Sequence, residues 1–132
     1  MSRRNRHMQK ALVSFLLSFK FAGRGALASL KERNMRVHLT LFAVALGLSI
    51  WLGLDLVAIS LILAVSSVVM VSEIINTCVE KAMNIIAPEY HPLAALIKDL
   101  AAGAVLIASG FALAVGIILI GVPLYAHVFG HN

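Results

Sequence analysis

Apolar residues dominate this chain in long runs, and the polar residues that break those runs are few and regularly spaced. Leu12, Phe15, Leu16 and Phe19 fall at i, i+3, i+4 and i+7, with Lys10, Ser14, Ser18 and Lys20 elsewhere around the turn. That period predicts an amphipathic helix lying on a membrane surface, within a region from about residue 8 to 35. A first apolar span runs from 37 to 54, broken by His38 and small polar residues. Its 18 residues reach about 27 Å, just enough for a hydrocarbon core. Gly53 and Asp55 mark a short turn, with Trp51 as an interfacial anchor. A second span covers 56–86 and stops before Pro88. At about 46 Å it must overshoot a core of about 30 Å by several turns. After the polar stretch Ala87-Pro88-Glu89-Tyr90-His91, Pro92 suits the first turn of a helix, and a third span runs from 94 to 122, just before Pro123. The pattern predicts an all-α integral membrane protein, one domain over residues 1–132, with a surface helix and three transmembrane helices.

Composition supports the membrane reading. The 132 residues are 61% hydrophobic and 13% charged, with a mean hydropathy of +0.95, whereas a soluble domain is about half apolar and a quarter charged. The basic start followed by Ala11 to Phe19 imitates a signal peptide, but Lys20 and Arg24 follow at once and no polar domain lies downstream for export. Nine of the 11 Lys and Arg residues lie at or before Arg36. In a soluble protein such an arm would suggest nucleic acid; beside this much lipid-soluble sequence it reads as an anchor on anionic lipid, with no nucleic-acid partner. The remaining two, Lys81 and Lys98, flank the second loop, while the turn at Gly53 and the stretch after Val122 carry none. The positive-inside rule therefore places the N-terminus in the cytoplasm and the C-terminus outside. Cys78, the single cysteine, excludes an intrachain disulfide and reads as a small packing residue. Ala104, Ala108, Ala112 and Gly116 recur every four residues, a spacing that lets membrane helices approach closely.

Candidate chemistry changes the picture at one place. Glu73, Asn76 and Glu80 close the apolar run from Leu56 to Val71 and share one helix face. Polar groups at membrane depth are costly and mark a functional site more often than a packing stripe. Counting from Leu56 puts Glu73 near the cytoplasmic edge of the hydrocarbon, Asn76 about 4.5 Å further on and Glu80 about 10 Å further, in the headgroup zone. Glu32, Lys98 and Asp99 fall in the same layer by the same count. A pore or a mid-bilayer transporter site would not put them there; a membrane alcohol could meet a water-soluble phosphate donor in that layer. A carboxylate at the hydrocarbon edge suits a base for a hydroxyl. Carboxylates nearer water suit a hard divalent cation such as Mg²⁺, and a lysine beside them suits charge on a transferring phosphoryl group.

Several signatures are missing. The chain holds no GxxxxGK[ST] loop, no GxGxxG after a strand, no kinase HRD or DFG set and no HExxH. His127 and His131 are spaced i, i+4 but read as surface histidines at the chain end, and His38 and His91 are singletons.

The segments Glu32-Arg33-Asn34-Met35-Arg36-Val37-His38, Glu73-Ile74-Ile75-Asn76-Thr77-Cys78-Val79-Glu80, Glu89-Tyr90-His91-Pro92-Leu93 and Lys98-Asp99-Leu100-Ala101-Ala102-Gly103-Ala104 resemble the small prokaryotic diacylglycerol kinase family, in order, over roughly residues 10 to 120. The resemblance implies a homotrimeric helical bundle with sites shared between subunits, which moves the γ-phosphoryl of MgATP to a lipid hydroxyl in the bacterial plasma membrane. Carried over, it implies Glu73 as catalytic base and lipid contact, with Ala102 a weaker lipid contact. It implies Glu32 and Glu80 as ligands of the Mg²⁺ bridging the ATP phosphates. Asn76, Lys98 and Asp99 would serve the nucleotide, the Glu89-Tyr90-His91 loop would lie near its adenosine, and Lys20 is a weaker phosphate candidate. The Glu32-Arg33-Asn34 stretch looks like the Gram-positive branch, whose members tend to be undecaprenol kinases, so undecaprenol is the expected acceptor and diacylglycerol the alternative. Asn84 stands where the family often has aspartate, and Ala95 and Ile97 where Gram-positive relatives often have Lys and Ala. A reading from a different class, a non-catalytic membrane assembly or small-transporter subunit, would use the polar stripe for helix contacts alone.

Overall fold

A computed structural model describes the chain from Arg3 to Gly130, with side chains from Val13 onward; His131 and the side chains of Lys10 and Leu12 lie outside the described residues. All the regular structure in this range is helical. The helices are α1 (Arg3–Ser29), α2 (Arg33–Trp51), α3 (Leu56–Ile86), α4 (Pro92–Gly116) and α5 (Val122–Phe129), with a π-helical turn at Ile117–Gly121 joining the last two. The chain divides into two compact units, one up to Arg33 and one from Asn34 on.

In the first unit α1 runs unbroken for 27 residues. Phe15 and Phe19, one turn apart, meet edge to face at 4.9 Å, and the Arg24 guanidinium lies 6.0 Å from the Phe21 ring. Phe15, Leu16 and Phe19 are exposed. Ser29 ends the helix, and a turn follows in which Glu32 N–H donates to the Ser29 carbonyl at 3.0 Å.

The second unit, with Arg33 at its boundary, holds three helical stretches among the described residues long and apolar enough to cross a membrane: Arg33–Trp51, Leu56–Ile86 and Pro92–Phe129. The first two are joined by a reversal written in the sequence. Gly53 takes a left-handed φ of +66°, which an L side chain adopts only at a cost. Gly53 N–H donates to Ile50 O at 3.1 Å and Leu54 N–H to Ser49 O at 3.0 Å, the paired bonds that close a helix end on glycine. Asp55 then caps α3, its Oδ1 accepting from Ala58 N–H at 2.7 Å. At the far end Ala87 N–H donates to Met83 O, and Pro88 cannot continue the helix. His91 caps α4 through its Nδ1, which accepts from Leu93 N–H at 3.3 Å, with Pro92 in the first turn.

The sequence placed the end of the last span at Val122, because Pro123 lacks an N–H and crowds the carbonyl four residues back. The helix instead continues to Phe129. The widened turn over Ile117–Gly121 absorbs the proline: Val122 N–H reaches back to Ile117 O, five residues away.

The close backbone approach in this unit is between α3 and α4, packed side by side. Residues of α2 join them in lining a cavity of about 270 Å³, to which α2 contributes Leu41 and Phe42, α3 Val69, and α4 Ala112 and Gly116. Trp51 of α2 meets His127 of α5 edge to face at 5.1 Å. Among the described residues few are buried: Met35, Ser49, Ile62, Val69, Glu73 and Ile120. Most large apolar groups face outward, Leu106 and Phe111 among them, as expected of helices whose solvent is lipid. The hydroxyls of Thr40, Ser49 and Ser67 donate to carbonyls one turn back in their own helices, so they need no other partner in an apolar setting.

Candidate active site

Glu73, Asn76 and Glu80 occupy the last third of α3, and exposure rises along their shared face. Glu73 is 3% exposed, Asn76 is half-buried and Glu80 is exposed. Continuing by one turn, the same face carries Asn84, also exposed. The four side chains cover about 16 Å along the axis. Polarity thus enters the helix from its Ile86 end and stops at one buried carboxylate. Glu73 makes no hydrogen bond or ion pair with another described residue. A carboxylate with this little exposure on an apolar helix costs stability, and such groups persist where function needs them.

α4 supplies the facing groups. Lys98 is half-buried, and its Nζ donates to Asn84 Oδ1 at 2.5 Å. This bond sets the register of the two helices. Moving from it toward the Asp55 end of α3, equal rises bring Glu80 level with Ala102 and Glu73 level with Ser109. Ala102 and Asp99 are exposed. Ser109 Oγ is buried without a hydrogen-bond partner among the described residues, and Ser109 lines the cavity beside Ala112, Leu113 and Gly116. Along α3 the cavity lies beyond Glu73 on the side away from Glu80, lined by Val69 and Ser66 one and two turns from it, with His38 as a further polar lining residue.

The loop residues Glu89, Tyr90 and His91 are exposed. His91 Nδ1 is engaged as a helix cap, which leaves Nε2 as its outward donor. Lys20 is exposed on α1 and Glu32 is half-buried in the turn after it; both belong to the first unit. Among the described residues no group of three or more His, Cys, Asp or Glu side chains forms a metal-ligand set. The second unit thus brings Lys98 to Asn84 and aligns Glu73, Asn76 and Glu80 on one face. Asn84 was visible in the sequence only as a departure from a family pattern. Its helical spacing from Glu80 carried the signal, and the missing information was the register of α4 on α3.

The sequence profile of the prokaryotic diacylglycerol kinase family matches residues 20–120. A diacylglycerol kinase of Synechocystis sp. is 34% identical over 113 residues, which cover 84% of this chain and 65% of that protein. The undecaprenol kinase of Bacillus subtilis is 29% identical over 109 residues, 82% of this chain and 89% of that protein. The diacylglycerol kinase of Escherichia coli K12 is 39% identical over 83 residues, 61% of this chain and 66% of that protein. The matches thus span just under two thirds of the Synechocystis and Escherichia coli relatives, 65% and 66%.

Proposed function

The chain belongs to the prokaryotic diacylglycerol kinase family, and from that premise we propose that it is a membrane lipid kinase. It moves the γ-phosphoryl of MgATP to the hydroxyl of undecaprenol at the cytoplasmic membrane interface. The observation that carries this reading is Glu73: a carboxylate 3% exposed on a membrane-compatible helix, at the closed end of a polar face that opens through Glu80 to water.

In this reading Glu73 takes the proton from the acceptor hydroxyl as the alcohol oxygen forms its bond to the γ-phosphorus. The bond from that phosphorus to the β,γ-bridging oxygen breaks, and ADP leaves with the electron pair. Positioning and charge stabilisation do most of the work in such a transfer. Lys98, held level with Asn84, supplies positive charge to nucleotide phosphates lying away from Glu73, with Asp99 next to it and Asn76 nearer the transferring group. The loop Glu89-Tyr90-His91 presents exposed side chains to the adenosine end. Glu80 is exposed and its carboxylate suits a hard cation such as magnesium, whose remaining ligands would be phosphates and water; this reading assigns Glu32 as a second carboxylate ligand. When bound, such an ion would supply positive charge against the nucleotide's phosphoryl oxygens. The cavity whose α3 lining begins one turn beyond Glu73 is lined mainly by apolar side chains and suits carbons of the acceptor chain.

Undecaprenol is favoured by the Glu32-Arg33-Asn34 stretch and by the match to the Bacillus subtilis undecaprenol kinase over 89% of its length. Diacylglycerol is the second reading, favoured by the names of the Synechocystis and Escherichia coli relatives. A homotrimer with an N-terminal helix on the cytoplasmic surface and the C-terminus outside completes the proposal. The test is a side-by-side assay of the purified protein with either acceptor and labelled MgATP. Undecaprenol should label with the higher kcat/KM. Glu73→Gln should lower kcat by about 10²-fold or more. Preferential labelling of diacylglycerol would reassign the acceptor, and full turnover by Glu73→Gln would remove the base assignment.

A further inference from the structure

Lys98 Nζ reaches across from α4 to α3 and donates to Asn84 Oδ1 at 2.5 Å. The acceptor is a neutral amide, although a carboxylate would be the obvious partner for an ammonium at this half-exposed position. Asn84 is held to the active face by spacing: four residues from Glu80 and eleven from Glu73, one and three helical turns along α3. The lysine side chain is flexible and loses rotamer freedom when its head is fixed. One short hydrogen bond from the facing helix supplies that fixation, and it does so without cancelling charge. An aspartate at the same place would hold the ammonium at least as firmly, but its own negative charge would offset the field of Lys98 and would repel phosphate oxygens arriving beside it.

We propose that Asn84 is a positioning residue for Lys98: it pins the ammonium at the open end of the α3–α4 pair while leaving its full positive charge for the phosphates of the nucleotide. The proposal rests on the lipid-kinase reading given above. It treats the side chain at position 84 as a control on nucleotide affinity, acting through Lys98. A neutral partner favours tight use of MgATP, and an acidic partner weakens it.

Two measurements on the full chain in detergent micelles decide this. The first is kcat and KM for MgATP in the wild type, Asn84→Asp and Asn84→Ala. Asn84→Asp should raise KM for MgATP by about tenfold, with kcat changed by less than about twofold because proton transfer at Glu73 is untouched. Asn84→Ala, which frees the lysine but leaves its charge, should raise KM by only about threefold. The second measurement needs no activity: the rate at which Lys98 is acylated by an amine reagent, read by mass spectrometry against Lys31 in the same chain. Asn84→Asp should slow acylation of Lys98 several-fold, because a carboxylate stabilises the unreactive ammonium form. Equal KM values in the wild type and Asn84→Asp would overturn the proposal. So would equal losses in Asn84→Asp and Asn84→Ala, the result of a purely structural role. Acylation of Lys98 at the wild-type rate in Asn84→Asp would show that the pairing itself is absent. A wild-type protein that labels no lipid would instead sink the kinase reading, and the phosphate role of Lys98 with it, while the acylation rates still decide the pairing.

Discussion

Glu73 and Glu80 are the same residue type on the same helix face, and their surroundings divide their labour. Glu73 is 3% exposed and has no partner among the described residues, whereas Glu80 is exposed two turns away. A ligand to a hard cation and a proton acceptor respond differently when the side chain is shortened by one carbon. Glu80→Asp moves an oxygen donor back from the ion by roughly a bond length, and a cation larger than Mg²⁺ tolerates that displacement better. Activity of Glu80→Asp should therefore recover several-fold when Mn²⁺ replaces Mg²⁺, and activity of Glu73→Asp should not. Comparable recovery in both variants would show that the two carboxylates do not divide the work in this way. These residues were legible in the sequence because carboxylates stand out against an apolar run. Asn84 and Ser109 were not. An asparagine near a helix end and a serine in an alanine-rich span are ordinary in isolation, and each gains meaning only from what lies across the helix interface.

Helix ends are the features of this chain most plainly encoded in single residues. Asp55 starts α3 because its carboxylate accepts from Ala58 N–H, and Gly53 closes the end of α2 because its φ of +66° is costly for any L side chain. Asp55→Ala should cost about 1 kcal/mol of stability through loss of the cap. Gly53→Ala should cost about 1–2 kcal/mol through left-handed strain. Thermal unfolding in detergent measures both, and since the two sites share one turn their combined effect should differ from the sum. A Gly53→Ala protein as stable as the wild type would mean that the reversal can adopt another backbone path. The last helix shows the limit of reading by single residues. Proline predicts a stop at Pro123, but a helix can keep its direction through proline where a wider turn relieves the crowded carbonyl, and Ile117–Gly121 forms such a turn. Whether a proline stops or is absorbed depends on turns before it that carry no distinctive residue of their own. The apolar stretch Ile117 to Gly121 has no polar marker that would announce its wider geometry.

For the whole molecule, the open question with the sharpest physical handle is which ends of the spanning helices face the cytoplasm. Among the described residues three stretches are long and apolar enough to cross a membrane, and the charges at their ends are unequal. The Arg33 end of α2 carries Arg33 and Arg36, and the connection between α3 and α4 is flanked by Lys81 and Lys98. The turn Gly53-Leu54-Asp55 and the chain after Val122 carry no Lys or Arg. Holding lysine and arginine on the cytoplasmic side is favoured during insertion, and acidic residues count for little. The site argument leads to the same orientation independently. Glu80, Asn84 and Lys98 lie at the Ile86 end of α3 and the Pro92 end of α4, so a kinase drawing on cytoplasmic ATP needs that end inside. Both arguments predict one labelling pattern. With Cys78 replaced by serine, a single cysteine at Leu54 should react with a membrane-impermeant thiol reagent added to intact cells. A single cysteine at Glu89 should react only after the membrane is opened. The reverse pattern would place Lys98 and Glu80 on the side without ATP, and the proposed reaction would fail on topology alone, whatever the chemistry of Glu73.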